Sequence, residues 1–248
     1  IIKFGVANSG LLCFAVSNSL PIRIKIMKLN KLILQESEMA RKNNTNSEPF
    51  RWIAHHVAEI YIYLLPKINI NESSKITLEF GASTPNDVSF DAMLGCTNVF
   101  IEDFDFVEFY KSDTIKRDTM LVNEITKNLI RIYKRRNNRE EDIQVILSTA
   151  EKVVATEFNL DIPIKRLQKK GKDKKIEVHR ILNSKVGEAW KCIVIETESP
   201  FNIREVWMTN LPNFLDRTDY FNKLELKDDR CVIYNKLGNV SFQLLFNE

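Results

Sequence analysis

The sequence predicts an α+β protein: N-terminal strands and one core helix, then a central antiparallel helical hairpin, then a C-terminal antiparallel β-meander. Three observations predict it. Apolar residues recur at three- and four-residue spacing over 49–65 and again over 113–158, the period of helices with one buried face. From Ile176 the period drops to two, and turn pairs such as Asp228-Asp229 and Gly238-Asn239 separate the runs. Between these regions, seven of the eleven residues from Lys165 to Lys175 are basic, which favours an exposed loop.

The first 26 residues are set apart. The chain opens on Ile1, while Met27 heads a run that would make an ordinary start. The apolar stretch Leu11 to Val16 behind Lys3 is shorter than the usual hydrophobic region of a signal peptide. Ile22, Ile24 and Ile26 alternate with Arg23 and Lys25, and Leu29, Leu32 and Leu34 continue the apolar positions, which reads as one or two strands. A polar linker over 41–48 ends at Pro49, a residue suited to a first helical turn, with Ser47 as the expected N-cap. Trp52, Ile53, His56, Val57, Ile60 and Leu64 then mark a core helix that stops before Pro66.

Lys75 to Phe80 reads as a short strand and Val99 to Tyr110 as a long one. The long one is acidic and aromatic on both faces, so it is expected at an edge or bent. Ser112 or Asp113 caps a helix with apolar positions Val122, Ile125, Leu129, Ile132 and Tyr133, and Asn137-Asn138 ends it. A second helix from about Arg139 carries a wide apolar stripe of Ile143, Ile146, Leu147, Ala150, Val153, Val154 and Phe158, and the short connection makes the two an antiparallel hairpin. The expected division is therefore 1–26 as a leading segment, 27–158 as an N-terminal α/β part containing the hairpin 113–158, 159–175 as a basic loop, and 176–248 as the C-terminal antiparallel sheet, all packed as one domain.

Composition excludes several functions. With 248 residues, 44% hydrophobic and 28% charged, the chain can bury a substantial core. No apolar run approaches the ~18 residues of a membrane-spanning helix, so no membrane partner is expected. Cys13, Cys96, Cys192 and Cys231 are far apart and form no CxxC pair, which points to reduced, buried thiols in a cytoplasmic protein rather than to zinc or dithiol chemistry, with two disulfides in an exported protein as the alternative. Seven glycines scattered singly leave no phosphate-cradling loop, and no nucleophile elbow is present. No catalytic residue, metal ligand set or cofactor is assigned.

Histidines do not change this. His55 and Glu59 stand four apart on the predicted helix, but a metal needs more ligands, and adjacent His55 and His56 point about 100° apart on a helix. His56 falls on the apolar stripe and reads as a core histidine.

Charge is the strongest functional signal. The net charge is +3, yet residues 79–113 hold eight acidic side chains and one basic, and residues 116–175 hold sixteen basic and nine acidic. In the acidic block, carboxylates that steer a cationic partner alternate with aromatics that anchor it, so Glu102, Asp103, Phe104, Asp105, Phe106, Glu108 and Tyr110 are the expected partner-binding residues. In the basic block, Arg131, Arg135, Arg136, Lys169, Lys170 and Lys172 form the expected anion-binding set. The favoured reading is a protein–protein interaction module, of the immunity or inhibitor kind, neutralising a basic partner such as a secreted bacterial toxin. Two alternatives compete. A metal-dependent nuclease would require Asp87, Asp91, Glu102, Asp103 and Glu108 to converge on one ion. A nucleic-acid-binding protein would use the basic block, which lacks the interleaved aromatics that stack on bases.

Overall fold

A computed structural model describes residues 28–43, 48–82, 88–91, 93–135, 139–197, 202–209 and 218–246. The expectations for residues 1–26, for the Ser47 cap, and for Asp87, Arg136 and Asn137-Asn138 lie outside the described residues.

The N-terminal part is built on a four-stranded sheet. Strands β1 (Lys31–Glu36), β2 (Lys75–Phe80) and β4 (Cys96–Ile101) run parallel, and β3 (Val88–Asp91) pairs antiparallel with β4, giving the order β1-β2-β4-β3. The parallel step from β1 to β2 requires a crossover, which the helices α1 (Glu38–Asn43) and α2 (Phe50–Leu64) supply. Pro49 stands at the N-cap of α2 with φ −61°, its missing N–H costing nothing at a helix start. Phe50, Ala54, His56, Val57, Ala58, Ile60 and Tyr61 form the buried face of α2; of the positions that predicted the helix, His56, Val57 and Ile60 lie on that face, Ile53 and Leu64 are half-buried, and Trp52 is 42% exposed.

The acidic-aromatic stretch folds differently from the single strand expected over 99–110. β4 stops at Ile101, residues 102–105 make a loop, and α3 (Phe106–Lys111) follows. Capping explains the change. Asp105 is the N-cap of α3, and its Oδ1 accepts the Glu108 N–H at 2.8 Å, which satisfies an otherwise orphaned donor. Helices α4 (Thr114–Lys134) and α5 (Glu140–Ala155) form the expected hairpin, with Asp113 as the α4 cap. Their antiparallel pairing is visible in two hydrogen-bond sites. Tyr133 donates to Asp142 near the connection, while the Tyr61 hydroxyl lies 3.2 Å from Thr126 and donates to the Ile146 carbonyl further along. Burial around that hydroxyl pushes the Tyr61 pKa up to about 12.

The segment expected as a basic loop is partly ordered into strands. It contains β5 (Leu160–Pro163), a 3-10 turn at Lys165–Leu167 and β6 (Lys169–Lys170), because β5 and β6 both pair with the long strand β7 (Lys174–Asn183). β8 (Gly187–Glu196) and β9 (Ile203–Trp207) complete this sheet in the order β5-β7-β8-β9. The meander then breaks. β10 (Lys223–Leu226), β11 (Arg230–Tyr234) and β12 (Val240–Leu245) form a separate antiparallel sheet.

Two cores result. One joins the N-terminal sheet, α2, α4 and α5 to Ile162 and Leu182; the other lies between the two C-terminal sheets and holds Leu167, Val178, Trp190, Cys192, Cys231 and Ile233. Among the described residues, no helix is long and apolar enough to cross a membrane.

Candidate functional site

The parallel strands β1, β2 and β4 end in register, with Glu36 opposite Phe80 and Phe80 opposite Ile101. Loops leaving the carboxyl ends of parallel strands are where open α/β sheets place their binding groups. Here the chain turns at Ser37, Gly81 and Glu102. Ser37 Oγ donates to the Gly81 carbonyl at 2.8 Å and accepts the Ala40 N–H at 3.1 Å, tying α1 to this edge. Gly81 has φ +74°, and a Cβ there would come within 2.7 Å of Ala40 Cβ, so glycine is required both for conformation and for space.

Behind the edge is a cluster of phenylalanines. Phe50, fully buried, has Phe80, Phe104, Phe106 and Phe109 around it at ring-centroid distances of 5.0, 5.7, 5.6 and 5.2 Å. These tilted and edge-on contacts are the favoured arrangements for aromatic quadrupoles. Phe104 and Phe106 are therefore anchors directed into the protein's own core, and Tyr110 stacks on Phe106 with an interplanar angle of 20°.

The carboxylates of the block are put to different uses. Asp105 caps α3, and Glu108 pairs with Lys116 across the acidic and basic blocks. That cation and its hydrogen bond hold the Glu108 pKa below the usual carboxylate range. Glu102 and Asp103 are exposed and have neither a hydrogen-bonded nor an ion-paired side chain among the described residues. Asp91 sits at the opposite end of the sheet, opposite Cys96 at the start of β4, where it accepts the Met93 and Leu94 N–H groups. Strand rise alone separates it from Glu102 by roughly 20 Å, too far to share an ion. Among the described residues, no group of three or more His, Cys, Asp or Glu side chains is placed to hold a metal.

The anticipated basic set divides between two places. Arg131 and Arg135 lie at the end of α4; burial, then the Arg135 charge, lowers the Arg131 pKa. Lys169, Lys170 and Lys172 line a cleft that Lys223 and Lys227 complete from β10 and the turn after it. Those two lysines carried no signal in sequence, since they lie about fifty residues from the basic run.

A third constellation joins His55 and Glu59, whose spacing is visible in sequence, to two residues that nothing there connects with them. His55 and Glu59 of α2 meet Arg180 and Glu188 of the β7–β8 hairpin: His55 Nε2 is 2.9 Å from Glu188 Oε2, and Arg180 Nη2 donates to Glu188 at 2.7 Å and to Glu59 at 2.8 Å. Trp190 Nε1 donates to the second Glu188 oxygen at 2.9 Å. Glu188 is fully buried. Burial would raise its pKa, but the hydrogen bonds from His55 and Arg180 and the Arg180 charge outweigh it and hold the value at about 2. The same carboxylates hold the Arg180 pKa above its ordinary value despite burial. His56 is also buried, 2.9 Å from Asp118 of α4. Both helix histidines are thus joined to carboxylates on neighbouring elements.

Comparisons with protein-family models, with curated proteins and with solved structures find no match. The functional reading therefore rests on the chain's own geometry.

Proposed function

We propose that this protein is an interaction module that docks a basic protein through the acidic edge of its parallel sheet. The observation that carries this reading is the Glu102–Asp103 pair. These are exposed carboxylates without a cation partner among the described residues, on a loop whose next residue, Phe104, is fixed in the aromatic cluster. Charges held on a short, anchored loop lose little conformational freedom on binding, and they steer a cationic partner from a distance. Val107, 63% exposed on α3 beside them, offers an apolar contact at the same edge. A basic toxin domain whose active site is masked by such an edge is a partner of suitable charge.

The test is affinity purification of the tagged full chain from its native cells at about 50 and about 300 mM salt, a range over which exposed charge pairs become screened. Wild type is expected to retain one stoichiometric basic protein at low salt, and the double variant Glu102→Lys, Asp103→Lys to lose it while keeping the wild-type Tm. Equal retention by the charge-reversed variant, or recovery of nucleic acid or of nothing, would overturn the reading.

A further inference from the structure

We propose that the lysine-lined cleft between the β6–β7 turn and β10 binds a small organic polyphosphate. Its volume is about 540 Å³, within the range of pockets that enclose small ligands. One wall is Lys169–Lys174 and the other is Lys223–Asp228, with Phe246 also lining it.

Both walls are held by backbone hydrogen bonds. Gly171 N–H donates to the Lys174 carbonyl at 2.8 Å, Thr197 N–H to the Asp173 carbonyl at 2.8 Å, and Lys227 N–H to the Arg230 carbonyl at 2.9 Å. The walls touch where Gly171 meets Leu226; a Cβ on Gly171 would lie 3.0 Å from Leu226 Cδ2. The cleft is thus a built feature of two packed turns.

Its charge is unbalanced. Six lysines line it against Asp173, Glu225 and Asp228. Lys174 pairs with Asp173, and Lys223 pairs with Glu225 at 2.7 Å, so two of the three carboxylates are already neutralised. Lys169, Lys170, Lys172 and Lys227 have no ion pair or hydrogen-bonded side chain among the described residues. Both walls thus carry excess positive charge, which suits an anion with several charges. Lysine serves phosphate as a mobile point charge with three donors. Leu224, Leu226 and Phe246 add apolar surface, which suits a ligand with an organic body as well as phosphates. One face of the Phe246 ring is engaged by Lys174, 5.4 Å from its centroid, and Phe246 is the one aromatic side chain among the lining residues, so a run of stacked bases along a nucleic-acid strand is not what this cleft offers.

Calorimetric titration with ATP and with inorganic tripolyphosphate, at about 150 mM salt where the Debye length is ~8 Å, tests the proposal. Both probes are expected to bind, ATP more tightly. The double variant Lys170→Glu, Lys172→Glu should weaken each by at least about tenfold, equivalent to 1.4 kcal/mol, while Arg131→Glu, Arg135→Glu leaves both unchanged. Unchanged Tm values establish that the variants fold. Absence of binding to either probe, binding insensitive to the lysine variant, or tighter binding of a single-stranded oligonucleotide carrying the same number of phosphates would each overturn it.

Discussion

Arg180 and Glu188 lie diagonally across the β7–β8 hairpin, 2.7 Å apart, where one sheet face passes from the first core to the second. Along that face, Leu182 and Glu188 sit opposite each other, then Arg180 and Trp190, Val178 and Cys192, Ile176 and Val194. Leu182 belongs to the core shared with α2; Val178, Ile176, Trp190, Cys192 and Val194 belong to the core shared with β10–β12. The ion network fills the seam between them, fixing where α2 meets the hairpin. A buried pair gains little over apolar packing, yet removing one partner strands the other charge.

This geometry makes Glu188 the main determinant of acid sensitivity at the seam. Its folded pKa of about 2 lies below the ordinary carboxylate value, so its contribution is present above the unfolded pKa and lost as pH falls from about 4.5 toward 2. The contribution is on the order of 3 kcal/mol. Glu188→Gln should lower unfolding free energy at pH 7 by roughly 3–5 kcal/mol and flatten the acid limb. Urea unfolding from pH 7 to pH 2 reads both. Parallel pH curves for the two proteins would mean that Glu188 does not titrate as described.

At the acidic edge, Gly81 is the position least tolerant of a side chain. Alanine there must accept positive φ and meet both Ala40 Cβ and Phe106 Cε2, the latter at 3.1 Å. Strain of about 1–2 kcal/mol from the left-handed conformation adds to the contact penalty. Gly81→Ala should therefore cost more than about 2 kcal/mol, and because it pushes on α1 and α3 it should also weaken partner binding at Glu102 and Asp103. A thermal melt paired with the affinity purification distinguishes the effects. A variant as stable as wild type would show that the edge is looser than this packing implies.

How much of this was legible in sequence depended on the range of the interaction. The periodicities of α2, α4 and α5 and the alternation of β7 and β8 came through because each element's own neighbours set them. Even the break at Glu102 had a local signature, since Asp105 and Glu108 stand at capping-box spacing; the alternation of acids and aromatics concealed it by resembling a strand. The seam network had no such signature. Glu188 is one carboxylate in an apolar run, and only the β7–β8 register and the docking of α2 bring Arg180, Glu59 and His55 to it. Likewise Lys169, Lys170 and Lys172 were evident from composition, whereas Lys223 and Lys227 join them only through the packing of β10 on the β6–β7 turn.

Cysteine reactivity reports directly on whether the two C-terminal sheets stay closed. Cys192 of β8 and Cys231 of β11 approach from opposite sheets and are both fully buried. The hydrogen bond between their thiols, together with burial, keeps Cys192 protonated well above the ordinary thiol range. Cys96, at the start of β4, is half-exposed beside the turn that follows β3. The same bond holds the Cys231 thiol below the ordinary range, but both sulfurs are sealed from solvent, so iodoacetamide at pH 8 should modify Cys96 promptly and the buried pair only through opening of the fold, at least about 10³-fold more slowly. Peptide mass spectrometry resolves the sites individually. Modification of Cys231 at the rate of Cys96 would show that β10–β12 separates from β7–β9 in solution, and that the second core is not continuously packed.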